Sequence, residues 1–104
     1  MTDIQSWKNG RAIMKVNICG IKHEIVETGD IFTSDAVHLG EIHFKDCKIF
    51  VNKDMHEDMK ATTICHEMVH GMLTHLGYQE QSNDEQFVQA LAVAIWQGFT
   101  IKEF

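Results

Sequence analysis

Five consecutive residues in the second half of the chain, His66-Glu67-Met68-Val69-His70, have the types and spacing of hydrolytic chemistry. They spell H-E-x-x-H, a pattern that carries this meaning only on a helix. Residues four apart on a helix stand one turn above each other, so both imidazoles can reach one ion. Zinc binds imidazole nitrogen at about 2.0–2.1 Å, and a catalytic zinc keeps three protein ligands and one open position for water. Glu67 points roughly 100° further round the helix than His66. There it can take a proton from a water that the ion has activated, and pass it to a leaving amine. The motif also breaks an apolar stripe with three polar residues, which is costly near a core unless they have a task. It therefore predicts one Zn2+ ion with a bound water, His66 and His70 as ligands, and Glu67 as catalytic base.

A third ligand must come from elsewhere in the chain. His75 is near, but the longer motif H-E-x-x-H-x-x-G-x-x-H needs glycine at 73 and histidine at 76, where Leu73 and Leu76 stand. Asp84 and Glu85 sit where a carboxylate from a following helix could reach the ion. Helical geometry leaves both open, since each is also a natural first-turn acid or cap. The longer reach of glutamate favours Glu85. His38, His43, His56, His75 and Tyr78 are available as oxyanion donors, but none is singled out by spacing.

The elements that must position these residues fall in two halves. Ile13 to Ile18 and Ile21 to Glu27 read as strands joined at Cys19-Gly20, a hairpin that Thr28-Gly29-Asp30 ends. Ile31 to Val37 is ambiguous between loop and helical turn. His38 to Phe44 alternates, with Ile42 and Phe44 on one face and Glu41 and His43 on the other. A turn at Lys45-Asp46 leads to a strand at Cys47 to Val51, a second hairpin or a meander with the first. From about Asp54 or Asp58 the period becomes helical, with Ile64, Cys65, Met68, Val69, Met72 and Leu76 forming a broad stripe. Gly77 stands where a C-cap glycine belongs. Tyr78 to Asn83 reads as a polar connection. Ser82-Asn83-Asp84 can cap a second helix to about Gln97, with Phe87, Val88, Leu91, Ala94 and Ile95 inward and Gly98 ending it. Phe99 to Phe104 reads as a short tail. Strands first and helices last predict an α+β domain over residues 1–104: a small antiparallel sheet packed on the motif helix and a C-terminal helix.

The composition allows such a domain and narrows its partners. At 104 residues, 44% hydrophobic and 23% charged, the chain fits one modest core. A formal net charge of −6 argues against nucleic-acid binding, which needs an excess of Lys and Arg. No apolar run approaches a membrane span, and Met1 to Gly10 is polar, so neither membrane nor secretion is expected. Cys19, Cys47 and Cys65 are odd in number and widely spaced, which predicts buried free thiols in a cytoplasmic protein. Cys65, Trp7, Trp96, Met68 and Met72 read as packing residues, and Asp54, His56 and Asp58 as a solvated helix start.

The run Thr62 to Gly71, then Leu76-Gly77, Asp84-Glu85-Gln86-Phe87-Val88 and Ala90-Leu91-Ala92, resembles small bacterial and phage zinc metallopeptidases. These are minimal gluzincin-like proteins related to the ImmA/IrrE group. Leu39-Gly40-Glu41-Ile42 and Cys47 to Asn52 look like the strand pair that precedes their active-site helix. The resemblance spans about residues 38 to 97 and implies Glu85 as third ligand, edge pairing of an extended peptide or protein substrate, and a target such as a repressor. Motif and resemblance together predict a cytoplasmic zinc metallopeptidase. The rivals are a zinc-stabilised binding module, in which Glu67 would have no task, and a metal-dependent hydrolase of another amide or ester.

Overall fold

Alternation in the first half builds two hairpins. The structure, a computed structural model, describes residues 11–29 and 40–100. Strands β1 (Arg11–Ile18) and β2 (Ile21–Thr28) pair antiparallel, with Ile18 opposite Ile21. Between them Cys19 and Gly20 both take positive φ, 52° and 87°. Two successive left-handed residues match the twist of the flanking strands and make the tightest hairpin turn. Asn17 Oδ1 accepts the Gly20 N–H at 2.7 Å and steadies that turn. Strands β3 (Gly40–His43) and β4 (Lys48–Asn52) form the second hairpin, again antiparallel.

The hairpins meet in the order β1-β2-β4-β3, with β2 and β4 parallel. The sheet is therefore mixed, not antiparallel, and the meander is excluded. Burial explains the order. β4 hides Ile49, Phe50 and Val51 in succession, so both its faces need cover and it belongs inside the sheet. β3 offers half-buried Glu41 and His43, which suit an edge.

Helix α1 (Glu57–His75) lies across one face of the sheet. Ile64, Met68 and Met72 pack on the fully buried Ile18, Ile25, Ile49 and Val51. The helix comes close at Gly71, where a Cβ would stand 3.1 Å from Ile42 Cδ1 and 3.2 Å from Ile18 Cγ2. At its start the His56 Nδ1 accepts the Asp58 N–H. At its end Gly77 turns left-handed, and the N–H groups of Gly77 and Tyr78 return to the carbonyls of Thr74 and Leu73.

The opposite flank of α1, with Cys65, Val69 and Leu73, packs on helix α3 (Glu85–Thr100) through Val88, Leu91, Ala92 and Ile95. Sheet, α1 and α3 thus stack as three layers of an α+β fold. Cys65 Sγ donates to the Ala92 carbonyl at 3.4 Å, and burial pushes its thiol pKa up, so it packs as a neutral group.

Several expectations need correction. Gln79–Ser82, read as a connection, forms a one-turn helix, α2. Gly98 does not end α3; it keeps an ordinary helical φ, since a glycine inside a helix costs only about 1 kcal/mol. Phe87 and Ala94 are exposed and Ala92 is buried, because the inward stripe centres on Val88, Leu91, Ala92 and Ile95. Leu76, past the last packed turn, is 63% exposed. Cys19 is exposed on its turn, although all three cysteines are free. The readings at Trp7, Ile31 to Val37, His38 and 101–104 lie outside the described residues.

Candidate metal centre

The two motif histidines leave α1 on the side that α2 and α3 approach. Their rings stand edge to face with centroids 4.9 Å apart. Glu85, the first residue of α3, reaches both: its Oε1 is 2.9 Å from His66 Nε2, and its Oε2 is 3.1 Å from His70 Nε2. Asp84 does not join them. It caps α3, its Oδ1 accepting the Phe87 N–H at 3.1 Å. One ligand atom from each of His66, His70 and Glu85 lies within 4.8 Å of the others.

The remaining ring nitrogens are held by residues the motif does not contain. His66 Nδ1 is 2.6 Å from Gln89 Oε1, an oxygen that only accepts, so the ring proton sits on Nδ1. Ser82 donates to the His70 carbonyl, and its oxygen faces Thr74 Oγ1 at 2.9 Å and His70 Nδ1 at 3.4 Å. With Ser82 donating to the His70 carbonyl, its oxygen is left to accept a proton from His70 Nδ1, which favours the same tautomer. Both Nε2 lone pairs then face the Glu85 carboxylate, and acceptors this close repel unless a cation lies between them. A proton satisfies this, and so does a metal ion. Ligands about 2.0–2.1 Å from a tetrahedral ion stand about 3.3 Å from one another, close to the spacings seen. Two imidazoles and a carboxylate suit zinc, and outer partners such as Gln89 and Ser82 are what orient such ligands.

Glu67 sits beside this cluster under different conditions. Only 8% of it is exposed, and among the described residues it has no hydrogen-bond partner. Burial is the main cause that raises its pKa to about 7; His66 opposes the rise, while Glu85 and Glu41 add to it. The wall across from it is β3. A Cβ at Gly40 would lie 2.7 Å from Thr63 Cγ2 and 3.0 Å from the Phe50 carbonyl oxygen, so only glycine lets the strand press on the helix there. The cleft between β3, α1, α2 and Glu85 has a volume of about 1010 Å³.

Other sequence candidates go elsewhere. His75 stands against His23 and Phe44, His43 bonds to Glu41 and stacks on Phe50, and His56 caps α1. Gln89 escaped notice although it lies one turn beyond Glu85, a spacing that shares a helix face. Ser82 was legible only as a cap. The strand directly before α1 is the interior β4, so among the described residues the edge strand beside the cleft is β3.

Comparison with known proteins finds no matching family model, no matching curated protein and no matching solved structure.

Proposed function

We propose that this chain is a small zinc-dependent peptidase of minimal gluzincin type, akin to the ImmA/IrrE group. Its ligands are His66, His70 and Glu85, and Glu67 is the general base. One observation carries the reading: two imidazoles and a carboxylate converge in a cleft also lined by a buried glutamate that has no hydrogen-bond partner among the described residues. A bound zinc ion would supply an activated water and polarise the carbonyl to be attacked. Glu67 would accept a proton from the attacking water as its oxygen bonds to the carbonyl carbon, and return it to the amine nitrogen as the C–N bond breaks. Gln89 and Ser82 hold the histidine tautomers that leave each Nε2 free. Among the described residues β3 is the edge strand beside the cleft, and it fits an extended peptide, whose backbone it would pair. Three free cysteines fit a cytoplasmic setting, and among the described residues no helix is long and apolar enough to cross a membrane.

Three candidate ligands among the described residues, beside an open cleft, favour this reading over a binding module with a closed structural zinc, which would take four. Zinc titration of the wild type, Glu85→Ala and Asp84→Ala tests the centre. Glu85→Ala should weaken binding strongly. Asp84→Ala should leave affinity in place and cost about 1 kcal/mol of stability as a lost cap. If the wild type takes up no zinc, or if Glu85→Ala binds as well as it does, the assignment falls.

A further inference from the structure

β3 and α1 pack against each other beside the cleft, and residues of both line it. Gly40 meets Thr63, Ile42 meets Gly71, and Phe44 stands against His75. A chain laid along the outer edge of β3 would set alternate side chains opposite those of β3, at distances where charge is felt.

Glu41 is the charged residue of that edge. It lines the cleft, its side chain is 26% exposed, and His43 Nε2 holds its Oε2 at 2.9 Å. The other charged groups on the cleft wall are Glu67 and Glu85, and no lysine or arginine is among the described lining residues. The nearby Lys48 and Lys60 are turned to Glu24 and Glu27. Glu67 lines the same cleft, 8% exposed and without a hydrogen bond among the described residues. Three carboxylates against one divalent ion and neutral imidazoles leave the loaded site with one negative charge.

We propose that Glu41 makes this cleft select a cationic side chain, a lysine or arginine of the substrate, next to the bond to be cut. The inference rests on the peptidase reading and adds the substrate class. A basic side chain on the substrate supplies the positive charge that the cleft lacks. An acidic one meets Glu41 across the strand pair and is rejected.

The test uses the zinc-loaded full chain and peptides blocked at both ends, identical except for Lys, Ala or Glu at each position flanking the cleaved bond. Cleavage is read as kcat/KM. Binding is read separately, by fluorescence anisotropy on zinc-loaded Glu67→Gln, so that recognition is measured without turnover. At one position Lys should exceed Ala and Glu should fall below it, with about tenfold between Lys and Glu, shrinking as salt rises. Glu41→Gln should bring the Lys to Glu ratio close to one and leave zinc affinity unchanged. Equal handling of Lys and Glu peptides, or a Lys preference that survives Glu41→Gln, overturns the proposal while cleavage continues to support the peptidase. Absence of cleavage with charge-selective binding overturns the hydrolytic reading and keeps the selectivity. Absence of any peptide binding overturns both.

Discussion

Lys60 and Glu67 stand two turns apart on α1 and are buried alike, 7% and 8% exposed, yet the chain treats them in opposite ways. Lys60 is met by Glu27 from β2, 33 positions away, and by Glu57 from its own helix. Glu67 meets no hydrogen-bond donor among the described residues. A buried charge without partners is expensive, so a fold tolerates one only where the group is wanted for something else. The first charge ties helix to sheet. The second lies beside His66 and His70, in the position the proposed function needs for a general base.

The largest expected effect comes from removing the unpaired charge. Glu67→Gln should lower kcat by about 10²–10⁴-fold while zinc still binds, measured by peptide cleavage and zinc titration together. Retained activity would make Glu67 a second structural charge and erase the contrast.

The same substitution should act in the opposite sense on stability. In the metal-free protein the pKa of Glu67 is about 7, above the value of about 4.3 for an unfolded glutamate. Between these values the folded state holds a proton that the unfolded state has lost, so stability falls as pH rises through this window and levels off above it. At pH 8, Glu67→Gln should therefore be more stable than the wild type by ~3 kcal/mol in urea unfolding without metal, and the gain should vanish near pH 4.

Gln89→Ala frees the Nδ1 proton of His66 from its acceptor and should weaken zinc binding about tenfold, a smaller loss than that from a ligand itself. The paired charge should be the quietest near neutrality. The Glu27 hydrogen bond, partly opposed by burial, raises the Lys60 pKa above its ordinary value. Its contribution is complete below the unfolded lysine pKa of about 10.4 and is lost only as pH rises through the higher folded value. Wild type and Lys60→Met should thus converge in stability only in strong alkali, where a pH series of unfolding curves would show it.

What was legible in the sequence was local. Cys19-Gly20 marked a hairpin, Gly77 marked the end of α1, and two histidines one turn apart marked the corner that Glu85 reaches. Each signal is written within a few residues. The parallel pairing of β2 with β4 is a choice between distant strands, decided by which one most needs cover on both faces. The sequence left Asp84 and Glu85 both open at the start of the last helix; the fold brings Glu85 to the two histidines and turns Asp84 to the Phe87 N–H. Glu27 and Lys60 gave no sign of each other, since nothing in either neighbourhood encodes a contact 33 positions away. The one-turn helix α2 defeated the periodic reading because four residues are too few to show a period.

Two glycines fix the gap between β3 and α1, one on each element: Gly40 of the strand faces Thr63 of the helix, and Gly71 of the helix faces Ile42 of the strand. Nothing smaller than glycine exists, so the aperture stands at its lower limit. A side chain at Gly40 would have to push β3 off α1, because its Cβ would stand 2.7 Å from Thr63 Cγ2 and 3.0 Å from the Phe50 carbonyl oxygen, whereas at Gly71 the ends of the Ile42 and Ile18 side chains would have to give way. Variation at Gly40 runs in one direction, toward a wider mouth that grips an extended chain less closely.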